Sequence, residues 1–165
     1  MSRLNPIDPA LLERLGSIVV RWGIVEAYVS EVLSLLLMAD RGCMYVLTVA
    51  TPVSAQLKWI ETLVKFRLVD DQARAQMLET IADLNELRSE RNALVHGLWN
   101  TGPEPATALV QSVRIEGTEM MKGEMVSLAE LKELDEDLTA AIERIRAVMH
   151  VLETAVLVPR RDPPG

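Results

Sequence analysis

The feature that most constrains the fold is a long run of apolar residues at helical spacing near the start of the chain. Apolar side chains recur in steps of four and three, at Leu11, Leu15, Ile18, Trp22, Val25, Val29, Val32 and Leu36. This spacing places them along one face of an α-helix. Asp8 followed by Pro9 is typical of a helix start, because an N-cap then precedes a proline at the first helical position. We therefore expect a helix from about Pro9 to near Asp40–Gly42.

The same periodicity predicts three further helices. Thr51-Pro52 is a second start signal, and Asp70-Asp71 begins a third helix that stops near Gly97. Ser127 and Glu130 have the spacing of a capping box, which opens the last long helix. The apolar lines of these helices are Leu57, Ile60, Leu63, Val64 and Leu68, then Met77, Ile81, Leu84, Leu87, Leu94 and Val95, then Leu131, Leu134, Leu138, Ile142, Ile145, Met149, Leu152 and Val156.

The composition changes between the third and the last helix. Residues 97–123 contain four of the eight glycines and two of the eight prolines. Residues 108–115 and 119–126 favour β-structure and are separated by Glu116-Gly117-Thr118, which predicts a small hairpin. The expected fold is all-α, an up-down bundle of four or five helices with a small β-hairpin insertion before the last helix. We expect a single domain over residues 1–158 and a flexible tail over residues 159–165.

Charge and composition exclude several classes of protein. The 165 residues include 24 acidic and 17 basic side chains, a formal net charge of −7 that argues against a generally basic nucleic-acid-binding surface but leaves room for a local basic pocket. One cysteine and two histidines exclude an internal disulfide framework and the usual structural zinc sites. The sequence also has no glycine-rich phosphate loop of standard spacing. We expect no metal and no cofactor.

The most apolar stretch, Ile18–Ala39, is long enough to span a bilayer but is interrupted by Arg21, Glu26 and Glu31. Each of these charges costs about 2.5–3.5 kcal/mol at the centre of a membrane. The first ten residues are polar and carry two prolines, unlike a secretory signal. We therefore expect a cytoplasmic protein without a membrane segment, and a first helix roughly 45 Å long, half of which packs against a second copy.

Two charged residues fall on apolar lines. Glu26 continues the line of Val19 and Trp22, and Arg91 continues the line that ends at Leu87. A charge that faces a core is costly unless it is paired, so these side chains either have partners in a polar pocket or lie at the edge and reach water. Our hypothesis is that Glu26 pairs with Arg91 or with Arg88.

The segment Arg91-Asn92-Ala93-Leu94-Val95-His96 carries side chains suited to RNA cleavage without a metal. RNA supplies its own nucleophile, the 2′-hydroxyl. A histidine can remove the proton of that hydroxyl or protonate the leaving oxygen, and an arginine can hold the phosphate and stabilise transition-state charge. Asn92 can orient either group. Trp99 is the tryptophan closest in sequence to this motif and could stack on a base.

The spacing of the motif raises a geometric difficulty. Asn92 and His96 are four residues apart and share a helix face, whereas Arg91 and His96 lie roughly 140° apart around the axis. The two can meet over one phosphate if the arginine reaches round, if the helix unwinds at His96-Gly97, or if a twofold dimer brings two copies together.

The residues Arg91 to His96 read RNxxxH and resemble the Arg-x4-6-His signature of the HEPN superfamily. The context is similar as well, because the motif lies late in a long predicted helix and another long helix follows. Trp22-Gly23-Ile24-Val25-Glu26 also resembles a pattern found in small bacterial proteins of this type. The glycine- and proline-bearing insertion after Gly97 departs from the plainest helical layout of the family.

This resemblance implies a helical bundle that dimerises and cleaves RNA without a metal, as a toxin of a toxin–antitoxin pair or as part of a defence system. It implies catalytic roles for Arg91 and His96 and supporting roles for Asn92, Glu26 and Arg88. The implied partners are a second copy of the chain, an RNA substrate, and an antitoxin or other protein. The alternative is a non-catalytic HEPN-like helical dimer that acts as a protein-interaction module, in which RNxxxH is a structural polar cluster.

Overall fold

A computed structural model describes residues 7–112 and 122–154, which form five helices and three strands. The helices are α1 (Pro9–Leu37), α2 (Arg41–Thr48), α3 (Val53–Arg67), α4 (Asp71–His96) and α5 (Leu128–Thr154). The strands are β1 (Leu98–Thr101), β2 (Thr107–Ser112) and β3 (Lys122–Ser127), all between α4 and α5. The prediction of a mostly helical chain with a small β-insertion before the last helix is confirmed.

The chain divides into two compact units. The first unit comprises residues 1–23 and 86–139, and the second comprises residues 24–85 and 140–165. The expected single domain over residues 1–158 stays a prediction, and the expected tail over residues 159–165 falls outside the described residues. None of the helices in the described part of the chain is both long and apolar enough to cross a membrane.

The start and the buried face of α1 follow the sequence prediction. The Asp8 side chain accepts a hydrogen bond from the backbone N–H of Ala10 at 2.9 Å, as an N-cap does. The predicted seam is buried at Leu11, Ile18, Trp22, Val25, Val29, Val32 and Leu36, while Leu15 is half-buried. This stripe therefore faces the core along the whole length of the helix.

The predicted end of the first helix is wrong. Helix α1 stops at Leu37, and Met38 adopts a left-handed conformation with φ of 53°. The backbone N–H groups of Met38 and Ala39 turn back to carbonyls of the last helical turn, at 3.1 Å each. Asp40 instead begins α2, because its side chain accepts hydrogen bonds from two backbone N–H groups of that helix, at 2.8 and 3.2 Å.

The β-insertion lies in the first unit and is larger than the predicted hairpin. The three strands form one antiparallel sheet in the order β1-β2-β3, with Leu98 opposite Gln111 and Thr107 opposite Ser127. The two predicted strands correspond to β2 and β3, whereas β1 was not predicted, because a strand of four residues carries little pattern. The predicted turn at Glu116-Gly117-Thr118 lies outside the described residues.

The capping box before α5 is confirmed. The backbone N–H and the side-chain hydroxyl of Ser127 both donate to the Glu130 carboxylate at 2.7 Å, and the Glu130 N–H lies 3.3 Å from the Ser127 hydroxyl. These hydrogen bonds hold the pKa of Glu130 below its ordinary value, with burial opposing them. The box therefore fixes the point at which the sheet ends and the helix begins.

Gly97 connects α4 to β1. The backbone at this position lies so close to neighbouring atoms that there is no room for a side chain. A Cβ atom at this position would lie 2.4 Å from Val110 Cγ1 and 2.7 Å from the Ala93 carbonyl oxygen. The carbonyl belongs to the helix backbone, so it has little freedom to move. The end of α4 is thereby packed directly against β2.

We expect Gly97→Ala to lower the free energy of unfolding by about 1–3 kcal/mol, the usual cost of forcing an extra group into a packed site. Gly42→Ala on α2 is the control, because a Cβ there approaches only a flexible side chain, that of Asp40 at 3.0 Å, and alanine is the better helix former. Urea unfolding followed by circular dichroism measures both variants. Equal stabilities of the Gly97 variant and the wild-type protein would contradict this interpretation.

Candidate functional site

The RNxxxH motif occupies the last turns of α4, in the first unit. His96 is the final residue of the helix and is exposed, while Arg91 and Asn92 are half-buried. Arg91 Nη1 donates a hydrogen bond to Asn92 Oδ1 at 3.0 Å. This hydrogen bond holds the guanidinium of Arg91 against Asn92, and the supporting role expected of Asn92 stays a prediction.

Arg91 also lies against the first helix. Its Cζ atom is 5.9 Å from the centre of the Trp22 ring, within the range of a cation–π interaction. Trp22 is only 2% exposed, so the ring forms a fixed wall behind the arginine. The Nε atom of Arg91 is buried and has no hydrogen-bond partner among the described residues. Arg91 thus lies at the edge of an apolar face and is stabilised there by an aromatic ring.

The helical backbone of α4 sets the angle between the Arg91 and His96 side chains. Because the helix continues to His96, the side chains of Arg91 and His96 remain roughly 140° apart around its axis. Unwinding at His96-Gly97, one of the three ways proposed to bring them together, stays a prediction, since α4 ends at His96 and Gly97 lies outside it. A long reach by the arginine and a second copy of the chain also stay predictions.

Arg88 and Glu26, the other expected supporting residues, occupy different places. Arg88 is half-buried, one turn before Arg91 on α4, and its Nε atom has no hydrogen-bond partner in the described part of the chain. Glu26 is exposed and belongs to the second unit, where it lines a groove beside α2. The proposed pairing of Glu26 with Arg91 or Arg88 stays a prediction.

Trp99, the tryptophan closest in sequence to the motif, binds the end of α4. Its indole N–H donates to the backbone carbonyl of Leu94 at 2.7 Å. This carbonyl belongs to the last turn of α4, where helix carbonyls lack partners within the helix. Trp99 therefore fixes the helix to β1.

An acidic groove of about 620 Å³ lies beside the same end of α4, within the first unit. Its carboxylates are Glu90, Glu124, Glu130, Glu133 and Asp137. Burial raises the pKa of Glu90, and the negative charges of Asp137, Glu86 and Glu133 raise it further. On helical geometry, Glu90 and Leu94 lie on the opposite side of α4 from Asn92 and His96, and Ala93 lies between the two sides.

Sequence reasoning missed the most strongly bound charge in the first unit. Asp135 on α5 is 3% exposed and accepts hydrogen bonds from three side chains of α1. The donors are Arg14 Nη1 at 2.6 Å, Arg21 Nε at 2.6 Å and Ser17 Oγ at 2.9 Å. Because these residues recur every three or four positions, they form one line on α1 that clamps the Asp135 carboxylate.

The pKa of Asp135 reflects two opposing effects. Burial by itself raises the pKa, but the hydrogen bonds from Arg14, Ser17 and Arg21, with the positive charge of Arg21, outweigh it and hold the pKa below the ordinary value. The carboxylate is therefore ionised at neutral pH. It acts as a structural anchor between α1 and α5 and not as a general acid.

Comparison with known proteins gives no match: no family model, no curated protein and no solved structure matches this chain. Within residues 7–112 and 122–154, no group of three or more histidine, cysteine, aspartate or glutamate side chains is placed to hold a metal ion.

Proposed function

We propose that this chain is a metal-independent endoribonuclease of the HEPN type, with an up-down helical bundle that acts as a cytoplasmic homodimer. Arg91 and His96 are its catalytic residues, Asn92 orients the arginine, and Arg88 and Glu26 support them. An antitoxin or other protein partner would control a toxin of this kind. The observation that carries the proposal is the exposed His96 at the end of α4, five residues after an arginine held by Asn92 and Trp22.

The reaction follows from the chemistry of these side chains. One histidine removes the proton of the 2′-hydroxyl, whose oxygen attacks the adjacent phosphorus atom. The bond to the 5′-oxygen breaks, and that oxygen takes a proton from a second group, which His96 of the other copy can supply. Arg91 stabilises the charge on the phosphate oxygens. The products are a 2′,3′-cyclic phosphate and a free 5′-hydroxyl.

The outer face of α1 supports the homodimer. From Gly16 to Gly23, every exposed residue of this helix is a glycine or a valine, and the exposed residues before this segment are Leu12 and Glu13. The exposed side of α5, in contrast, is charged, with Glu133, Glu136, Glu143 and Arg146. A helix face without charge is typical of contact with another apolar surface and not with water.

The two glycines on this face have no role within the described residues. A Cβ atom at Gly16 or Gly23 would meet nothing within 4 Å. Glycine inside a helix costs about 1 kcal/mol of stability relative to alanine. Since there is room for a Cβ at both positions, packing within the described residues does not require glycine there. Small residues on a helix surface let a second helix approach closely. A second copy of α1 satisfies this requirement.

The motif lies nearer the edge of this face than its centre. Trp22, which packs against Arg91, lies roughly 60° from Val19 but roughly 160° from Val20 around the axis of α1. In the proposed dimer the second copy supplies the His96 that one chain does not place beside its own Arg91.

We expect Val20→Glu to convert the dimer to a monomer, because it places a charge in the centre of the uncharged face. Val20 is 68% exposed and Val46 on α2 is 70% exposed. Val46→Glu is therefore a matched control for the effect of replacing an exposed valine with glutamate outside the proposed interface. Sedimentation equilibrium across a concentration series measures the dissociation constant. A wild-type monomer, or equal effects of the two variants, would contradict the proposed interface.

The second candidate is a non-catalytic HEPN-like dimer that acts as a protein-interaction module. The contacts of Arg91 favour it, since an arginine held by Trp22 and Asn92 can serve packing alone. Incubation of the purified protein with mixed RNA in EDTA separates the two candidates. Cleavage that is lost in His96→Ala and Arg91→Ala supports the enzyme, and no cleavage by the wild-type protein supports the module.

The toxin role has its own test in cells. Induced expression of the wild-type chain should arrest bacterial growth, and the His96→Ala variant should not. Normal growth with the wild-type protein at a verified expression level would contradict the toxin role. RNA cleavage itself is tested separately, by the assay with purified protein.

A further inference from the structure

The sheet of the first unit has two free edges among the described residues. The strand order is β1-β2-β3, so β1 and β3 each pair with β2 and with no other strand. A free edge presents backbone N–H and C=O groups that can pair with a strand of another chain. The edge of β3 is of particular interest because it borders the acidic groove.

The hydrogen bonds near the end of β3 show which backbone groups lie on its free edge. The Leu128 N–H, one residue past the strand, donates to the Ala106 carbonyl, one residue before β2, at 3.0 Å. In an antiparallel pair, the backbone groups of successive residues point alternately towards the partner strand and away from it. Counting back from Leu128, the groups of Val126 point towards β2, and those of Ser127 and Met125 point outward. The Ser127 N–H agrees with this count, because it donates within the capping box and not to β2.

The acidic groove runs along the same edge. Three consecutive residues of β3, Glu124, Met125 and Val126, line it. Glu124 and Val126 lie opposite the buried residues Val110 and Ala108, on the inner face of the sheet, and Met125 belongs to the outer face. A groove that reaches side chains of both faces must pass round the edge of the strand. The outward N–H and C=O groups of Met125 are therefore at the groove.

The lining of the acidic groove combines an apolar floor with negative charge. The floor is formed by Ala93, Leu94, Leu131 and Leu134, and no basic side chain lines the groove in the described part of the chain. The raised pKa of Glu90 shows that the carboxylates of α4 and α5 repel one another here, since burial and then Asp137, Glu86 and Glu133 raise it. The groove therefore complements a positive charge on an aliphatic stem, as in a lysine or arginine side chain.

We propose that the β3 edge binds an extended basic segment of a partner protein, which adds a fourth strand to the sheet. The backbone of this segment pairs with the N–H and C=O groups of Met125. Its alternate basic side chains lie along the apolar floor and reach Glu90, Glu133 and Asp137. A second copy of β3 does not fit this edge, because it would set the carboxylates of one groove against those of another. The proposal does not rest on RNA cleavage, since the interaction uses none of the RNxxxH residues.

The first test measures binding of a fluorescently labelled peptide of alternating lysine and valine to the full chain, by fluorescence anisotropy. In an extended peptide the lysines share one face and the valines share the other. We expect saturable binding at one site, and at least tenfold weaker binding of the peptide with glutamate in place of lysine. Equal binding of the two peptides, or no saturable binding of the lysine peptide, would overturn the proposal.

Backbone methylation of the peptide distinguishes strand pairing from charge attraction alone. Only alternate N–H groups of an added strand face β3. N-methylation of one alternate set, either all lysines or all valines, should therefore weaken binding at least tenfold, and N-methylation of the other set should not. Equal effects of the two modifications would contradict pairing with β3.

Met125→Pro removes the outward N–H without touching the hydrogen bonds between β3 and β2, because proline is tolerated where an edge strand faces outward. It should weaken binding of the lysine peptide at least tenfold, while Met125→Ala, which keeps the N–H, should bind within threefold of the wild-type protein. Circular dichroism checks the fold of both variants, and the methylated peptides test the wild-type protein if Met125→Pro does not fold. Equal binding by two folded variants, or loss of the homodimer in Met125→Pro, would overturn the proposal.

Charge reversal tests the position of the basic side chains. Glu133→Lys should weaken binding of the lysine peptide at least tenfold, because it places a positive charge in the lining of the acidic groove. Glu136→Lys is the matched control, since Glu136 is also exposed on α5 but does not line the groove. Equal weakening by the two substitutions would contradict the acidic groove as the site.

Discussion

Replacing His96 with alanine should lower the rate of RNA cleavage in EDTA by about 10²- to 10⁴-fold, the range over which a positioned acid or base contributes. Arg91→Ala should have an effect of at least similar size, about 10²- to 10³-fold, because it removes charge stabilisation of the phosphate. Fluorescently labelled RNA, followed under single-turnover conditions, measures both rates.

Matched controls separate chemistry from general damage to the protein. His150 is also an exposed histidine, and Arg146 pairs only with Glu143 among the contacts described, so His150→Ala and Arg146→Ala should keep the wild-type rate. If His150→Ala reduces cleavage as strongly as His96→Ala, the assignment of His96 is wrong.

The Arg91→Lys variant distinguishes a catalytic arginine from a structural one. Lysine keeps the positive charge beside Trp22 but cannot make the paired hydrogen bonds of a guanidinium. A catalytic Arg91 predicts an unchanged free energy of unfolding within about 0.5 kcal/mol and a cleavage rate at least tenfold lower. A structural Arg91 predicts the reverse, a loss of stability with little effect on the rate.

The largest expected effect on stability comes from Asp135. We expect Asp135→Asn to lower the free energy of unfolding by about 2–4 kcal/mol at pH 7, because it leaves Arg14 and Arg21 without the carboxylate that pairs them. The two arginine side chains are each 36% exposed, so water screens part of the loss. Urea unfolding measures the difference.

The pH dependence of this effect follows from the lowered pKa of Asp135. A carboxyl group with a lowered pKa in the folded state contributes stability above its unfolded pKa of about 3.9 and loses it as the pH falls through the folded value. The difference between the wild-type protein and Asp135→Asn should therefore be constant from pH 7 to about pH 5 and shrink below about pH 4.

Asp137→Asn is the control for this substitution, since Asp137 is exposed and lies on the same helix. It should change the free energy of unfolding by no more than about 0.5 kcal/mol. Equal losses for Asp135→Asn and Asp137→Asn, or a difference that grows in acid, would contradict the structural role assigned to Asp135.

The parts of the fold that were predictable are those in which local pattern and tertiary packing agree. The apolar seam from Leu11 to Leu36 and the capping box at Ser127 each specify the same structure by spacing and by hydrogen bonding. Two elements escaped prediction because their signals are short or indirect. Helix α2 has only eight residues, and its N-cap, Asp40, is equally typical of the region where a helix ends. Strand β1 has four residues and pairs with β2.

Two charged residues that fall on apolar lines, Glu26 and Asp135, differ in their burial. Glu26 is exposed, although Trp22 before it on its line and Val29 after it are buried. Asp135 lies between Leu131 and Leu138 on α5, and it is buried and paired. Spacing alone cannot tell these cases apart, because burial depends on which side of a helix its neighbours cover.

The most direct test of the central proposal is to identify the ends of the RNA fragments. Incubation of an RNA of defined sequence with the purified protein in EDTA, followed by mass spectrometry, should give 2′,3′-cyclic phosphate ends, and His96→Ala should give none. A 2′-deoxy substitution at the cleaved position should block the reaction, because it removes the nucleophile. Intact RNA with the wild-type protein, or the same ends with His96→Ala, would contradict the proposal.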